Sequence, residues 1–224
     1  MVYDFDIFSP EKLLKVIEDF KVTSFCAPPT VYRYFIKKDM KKFDLSHLEH
    51  ITTAGEALNP EVFEQVHKQT GLQIMEGFGQ TESVLMLGNL VGSTAKIGSL
   101  GKPTPLYNIM IADNEGNRLP ANEVGEIVVI PSENQHGIFM GYCGNEDLYA
   151  NVWKYGIYHT GDTAYMDDDG YYWYVGRIDD LIKTRGYRVG PFEIENVLME
   201  HPAVMECAVT GIPDKARGQA IKAT

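Results

Sequence analysis

The stretch NPEVFEQVHKQTGLQIM, residues 59–75, decides how the chain is read. Asn59 before Pro60 marks a helix start: the Asn side chain can accept from an orphan backbone N–H, and Pro at the first helical position has no N–H to leave unpaired. Val62, Phe63 and Val66 fall on one helical face, and Gly71 supplies a left-handed stop. Leu72 to Met75 follows as a short strand. Working backwards, His50 to Ala54 is a second strand, Pro28 and Pro29 open a helix to about Lys38, and Val22 to Cys26 is a third strand. Ser9 and Pro10 start a helix whose Leu13, Leu14, Ile17 and Phe20 recur at helical spacing. Strand, helix, strand, helix, strand predicts a parallel α/β layer, with ligands expected beyond the carboxyl ends of its strands.

After about Gly92 the texture changes to short alternating strands with turn signals: Tyr107 to Ala112, the turn Asn114 to Asn117, Gly125 to Ile130, and Gly170 to Arg177. This predicts an antiparallel β region, a small barrel or a distorted sheet. Beyond Asp180, Pro191 opens a helix over Ile194, Val197 and Leu198, and Ala203 to Thr210 reads as a strand. The expected division is 1–178 for a large domain and 179–224 for a hinge and a small α+β domain that is too short to stand alone.

The 224 residues are 44% hydrophobic and 23% charged, which excludes disordered, collagen-like and coiled-coil classes. Twenty Lys and Arg against 31 Asp and Glu give −11, an acidic balance that argues against nucleic-acid or anionic-membrane partners. The three cysteines, Cys26, Cys143 and Cys207, are too far apart for a CxxC metal site. Asp4 and Asp6 stand where a signal peptide would carry positive charge, and no apolar run approaches a span of about 18 residues. A reducing cytoplasm is the expected location.

Two predicted strands run into small polar segments, Ala54-Gly55-Glu56 and Glu76-Gly77-Phe78-Gly79-Gln80-Thr81-Glu82. In the second, the glycines admit close backbone approach, Thr81 offers a hydroxyl and an amide to phosphate oxygens, Glu82 suits Mg²⁺, and Phe78 can stack on a purine. Tyr158-His-Thr-Gly-Asp162 reads as a carboxylate just past a tight turn, suited to ribose hydroxyls or simply to a hairpin. Asp167 to Gly170 reads as a hairpin turn, not a calcium loop. Gly176 to Arg188 concentrates basic residues in an otherwise acidic protein, which implies an anionic ligand or a solvated surface. The six histidines show no metal-ligand spacing.

Taken in order, AGEAL, EGFGQTE, GEI, YHTGD, GRIDDLIKTRGYRVGPFEIE and GIPD…RGQ resemble the adenylate-forming superfamily, specifically AMP-forming acyl-CoA synthetases of the medium-chain type. The resemblance implies that a carboxylic acid attacks the α-phosphate of ATP to give an acyl-adenylate, and that the thiol of CoA then takes the acyl group. It further implies that Gly55-Glu56-Ala57 and Glu76 to Thr81 form the adenine and phosphate wall, with Phe78 against the purine and Thr81 near the α-phosphate. Glu82 resembles the Mg²⁺ ligand, Asp162 and Arg177 the ribose grip, and Asp179 the hinge. Arg185-Gly186-Tyr187 and Arg217 match positions that meet CoA, and Arg188 one that approaches the adenylate, which with Thr81 and Glu82 makes the implied catalytic set.

Departures from the pattern qualify the expected activity. Nothing before Ala54 resembles the family's Ser/Thr/Gly-rich phosphate loop ending in Pro-Lys, and Lys222 is not in the context of its catalytic Gly-Lys motif. The chain is therefore expected to be an internal fragment that makes no acyl-adenylate alone; a non-catalytic nucleotide-binding or interaction module is the alternative. Gln80 stands where amino-acid-activating members carry Pro. Gly79 stands where acetyl-specific members carry Trp, so medium-length or branched acids are expected, and Gly79→Trp is expected to favour short acids while sparing the nucleotide.

Overall fold

The computed structural model describes residues 7–56, 58–133, 136–201, 203–204 and 207–224; the readings of Asp4, Asp6 and Ala57 lie outside these residues. The first layer runs α1 (Pro10–Asp19), β1 (Ser24–Cys26), α2 (Pro29–Ile36), β2 (His50–Thr53), α3 (Pro60–Thr70) and β3 (Ile74–Phe78). Strands β1, β2 and β3 are parallel neighbours. Asn59 caps α3 by accepting from the Glu61 amide at 2.8 Å, and Gly71 ends it at φ 76°. Leu14, Ile17, Tyr32, Phe35, Ile51, Val62, Phe63, Val66 and Ile74 close into one core between helices and sheet. Phe20 does not join that face: it is the C-cap of α1 and is 60% exposed.

Strands β4 (Leu87–Gly88) and β5 (Lys102–Pro103) add to this sheet antiparallel. The antiparallel region is a second, five-stranded sheet whose main path β10-β9-β7-β6 is made by β6 (Asn108–Ala112), β7 (Gly125–Ile130), β9 (Ile157–Met166) and β10 (Tyr172–Arg177), with one more short strand paired to β9. Helix α4 (Glu146–Val152) and the short β8 (Trp153–Lys154), which pairs with β9, lie between β7 and β9. The Asp167 to Gly170 segment is the expected hairpin turn, closed by the Gly170 amide on the Asp167 carbonyl at 2.9 Å. Lys96 locks this turn to a distant loop, reaching Asp167 at 2.7 Å and Asp169 at 2.6 Å.

The C-terminal residues form a third, antiparallel sheet, β12-β11-β14-β13, from β11 (Ile182–Thr184), β12 (Tyr187–Val189), β13 (Val209–Asp214) and β14 (Gly218–Ala223). Helix α5 (Pro191–Met199) packs beside it without a single fully buried residue. The strand expected at Ala203 to Thr210 begins only at Val209 and continues to Asp214, because its partner is the following hairpin strand β14. Helix α5 holds its own sheet through Glu195, whose Oε1 accepts from the Val209 amide at 2.8 Å. It reaches the earlier elements through contacts that include the Phe192 ring edge-on to Tyr174 at 5.7 Å, Asn196, whose Oδ1 accepts from Asn59 at 3.1 Å, and Met199, whose sulfur faces Arg33 at 3.9 Å.

Candidate functional site

Strands β2 and β3 run in the same direction with Thr53 opposite Glu76, so the loops after them open at one edge of the sheet. Gly55 and Glu56 come from the first loop, and Gly77, Phe78, Gly79, Gln80 and Glu82 from the end of β3 and the loop beyond. From the second sheet, β9 and β10 bring Asp162 and Arg177 to the same place as register partners. With Leu100 and Tyr174 these residues line a cavity of about 420 Å³.

Asp162 corrects the tight-turn reading, for it sits inside the ten-residue strand β9 and is only 5% exposed. The polar residues around it are paired within the sheet: Thr160 Oγ1 donates to the Ile127 carbonyl at 2.7 Å, and Thr163 Oγ1 to Gly176 at 2.7 Å. The Asp162 carboxylate accepts from Gln80 Nε2 at 2.6 Å and from the Tyr174 hydroxyl at 3.3 Å, and Arg177 Nη1 stands 3.4 Å away. Burial pushes its carboxyl up from the ordinary Asp range, and Arg177, Gln80 and Tyr174 oppose that shift. Gln80 is itself held by the Tyr158 hydroxyl at 3.0 Å, so the loop after β3 is bracketed onto β9. A buried carboxylate beside a guanidinium, an aromatic ring and bare backbone suits a ligand with adjacent hydroxyls, a flat ring and negative charge.

Glu56 is fixed by Thr30 at 2.9 Å and Arg33 at 2.9 Å, contacts from helix α2 that the motif did not signal. Glu82 is half-buried, and one of its oxygens accepts from the Tyr142 hydroxyl at 2.9 Å. Thr81 is exposed and is not among the cavity residues. Glu76 is also absent from the wall, which corrects its place in the motif reading. Strand alternation turns its side chain, with that of Ile74, to the buried face, where Oε1 accepts from the Leu58 amide at 3.0 Å. Tyr174 was overlooked because it lies in an aromatic hairpin run; its spacing of two from the core residue Tyr172 was the available signal.

Burial pushes the Glu76 carboxyl up to about 8 from its ordinary 4.5. Between those values the folded chain keeps a proton that the unfolded chain has released. Stability should therefore fall as pH rises through that window, by up to about 1.4 kcal/mol per pH unit from this group. Glu76→Gln should remove that slope, so the variant gains on the wild type from about pH 5 to about pH 8 in urea denaturation; parallel curves would refute a buried neutral carboxyl.

The residues of the C-terminal sheet gather elsewhere. Arg185, Gly186 and Tyr187 are exposed at the β11–β12 turn, and the Arg185 amide donates to the Arg217 carbonyl at 2.9 Å, so these four form one group. Asp179 lies 3.4 Å from Arg177 Nε, at the crossing between sheets. Arg188 does not meet Thr81 and Glu82; it lines a separate cavity with Glu123, Glu126 and Glu193.

A profile of the AMP-binding enzyme family matches residues 1–143, and one of the AMP-binding enzyme C-terminal domain matches residues 193–224. The chain belongs to the AMP-binding enzyme family. Among the relatives is the mitochondrial acyl-coenzyme A synthetase ACSM3 of Mus musculus, 45% identical over 96% of this chain and 37% of its own length. Another is 4-hydroxybutyrate–CoA ligase 1 of Metallosphaera sedula, 46% identical over 95% of this chain and 38% of its own. The crystal structure of the anthranilate CoA ligase AuaEII in complex with anthranoyl-AMP superposes with a TM-score of 0.87 at 36% identity, over 96% of this chain and 41% of that one. The chain thus spans well under half the length of these relatives. No helix among the described residues is long and apolar enough to cross a membrane.

Proposed function

We propose that this chain is the adenylate-holding part of an AMP-forming acid–CoA ligase, with 1–178 the C-terminal portion of the large domain and 179–224 the hinge and part of the small one. One observation carries the reading: nine motif residues from separate segments, Gly55, Glu56, Gly77, Phe78, Gly79, Gln80, Glu82, Asp162 and Arg177, line a single cavity. In this reading Phe78 faces the purine and Asp162 and Arg177 hold the ribose hydroxyls. Thr81 serves the phosphate and acyl carboxylate from the loop rim. Arg185, Gly186, Tyr187 and Arg217 offer CoA a cationic, exposed turn, and Arg188 reaches the adenylate only after rotation about Asp179. Mg²⁺ fits Glu82, because a hard cation takes carboxylate oxygen and Glu56, the other carboxylate at the rim, is already paired with Arg33. When bound it would neutralise phosphate charge.

The test is titration calorimetry of the purified chain with AMP and, as a control, GMP. Saturable AMP binding with clear preference over GMP is expected, and no binding would overturn the reading. Free Cys26, Cys143 and Cys207 fit a reducing compartment such as the cytoplasm.

Gly79 supports medium-length or branched acids, since it leaves the cavity wall bare at that point. A Cβ there would stand 2.8 Å from the Val84 carbonyl oxygen, so a tryptophan must push the loop that holds Gln80 and the Val84–Leu85 backbone apart. The expectation that Gly79→Trp spares the nucleotide is revised accordingly. The variant should lose AMP affinity by about tenfold or more, read by the same calorimetry; unchanged affinity would mean the loop yields freely.

A further inference from the structure

The Thr160–Gly161 peptide is held at both of its polar atoms. Its carbonyl oxygen, on the cavity side, accepts from Gln80 Nε2 at 2.8 Å and from Arg177 Nη1 at 3.2 Å. Its N–H donates to Glu126 Oε1 at 2.9 Å. The other oxygen of that carboxylate is 2.7 Å from His159 Nδ1, and both side chains are only 13% exposed.

Glu126 belongs to β7, a different strand from the peptide it holds. The pairing of β7 with β9 shifts at this point: Glu126 faces Thr163, yet Val128 faces His159, so residues 160–162 bulge from the ladder. Gly161 adopts φ 74°, and a Cβ on it would stand 3.0 Å from the Arg177 guanidinium. Irregular backbone of this kind persists where surrounding contacts over-determine it. The bulge is what delivers Asp162 to the cavity. Glu126 and His159 are absent from that cavity's wall and line a neighbouring one of about 380 Å³.

The geometry points to Glu126, seated on His159, as a positioning residue that fixes the Thr160–Gly161 peptide and through it aims Asp162 and Arg177 at the ligand. This deepens the ribose reading given above and rests on it. The clamp works by shape: Glu126→Gln keeps an oxygen for the Gly161 amide and an N–H for Nδ1 of neutral imidazole, whereas Glu126→Ala keeps neither.

The experiment compares wild type, Glu126→Gln, Glu126→Ala and His159→Phe as purified chains. Hydrogen exchange is followed in peptides covering residues 157–166, and affinities for AMP and 2′,3′-dideoxy-AMP are measured by calorimetry. Wild type should prefer AMP by about tenfold or more, the value of hydroxyl contacts to a charged partner. Glu126→Ala should exchange faster in that segment and lose most of the preference. Glu126→Gln should resemble wild type, and His159→Phe should fall between. Unchanged protection in Glu126→Ala would overturn the clamp, as would an equal loss of affinity for both nucleotides, which marks general destabilisation. Should Glu126→Ala not fold, the same readings on His159→Phe decide, with an unchanged ratio counting against the inference. A wild type that does not distinguish the two nucleotides refutes the ribose reading, while the exchange data still decide whether Glu126 holds the peptide.

Discussion

Asp162→Ala should weaken AMP binding by at least about a hundredfold, because two hydrogen bonds to an ionised acceptor are lost together at about 1.5–3 kcal/mol each. The same change should cost the fold far less. Burial already pushes the Asp162 carboxyl up, so its ionised form is a burden on folding near neutral pH, and Gln80 keeps its bonds to Thr160 and Tyr158 when the carboxylate goes. Calorimetry for the nucleotide and urea denaturation for the fold would separate the two effects. A change in affinity below about threefold would leave Asp162 as an ordinary strand residue.

Gly101→Ala should be the most damaging single methyl in the molecule's interior. Gly101 lies just before β5 in the first sheet, and its carbonyl accepts from the Tyr172 amide at 2.9 Å while Leu100 donates to the Tyr172 carbonyl at 2.8 Å. It therefore stitches the first sheet to β10 of the second. A Cβ at Gly101 would fall 2.1 Å from the Gly88 carbonyl carbon and 2.3 Å from its oxygen, all backbone that cannot rotate away, and φ is 85°. Strain and a broken seam together should cost roughly 4 kcal/mol or more, a large part of the roughly 5–15 kcal/mol that holds a typical protein folded. Because Leu100 lines the cavity, nucleotide affinity should fall with stability. A loss below about 1 kcal/mol in chemical denaturation would mean the seam can part without consequence.

The first layer was legible because its signals are local. Asn59, Pro60 and Gly71 act within one turn of the helix they bound, and the structure uses each as expected. Gly125 to Ile130 coincides with β7 because Ile127, Val128, Val129 and Ile130 make an unbroken β-branched run. Strand β9 was not legible at its centre: Thr160-Gly161-Asp162-Thr163 has turn composition, and only contacts with Ile127 and Gly176 from other strands let it stay buried in a sheet. Strand β3 outran its reading, from Met75 to Phe78, because pairing with β2 and β4 carries Glu76 and Gly77, neither of which favours a strand by itself. In the C-terminal sheet, β11 pairs with β14 at Thr184 and Gly218, a contact no local pattern announces. The same divide runs through the site. The loops at the strand ends could be read as motifs, while Tyr174, Tyr142 and the Glu126–His159 pair acquire meaning only from what they touch across the fold.

The seat of helix α5 has a consequence for populations. An amide pair, a guanidinium against a thioether and an edge-on ring pair are each worth on the order of 1 kcal/mol in water, and the helix has no fully buried side chain to add. If the chain turns about Asp179 as proposed, a contact that light would be left and regained without unfolding, on the microsecond to millisecond scale of hinge motion. A ligand that touches both sides of the crossing at Asp179 then needs only a few kcal/mol of differential affinity to make one placement dominant. The occupant of the cavity, more than the polypeptide, would decide where the C-terminal sheet spends its time.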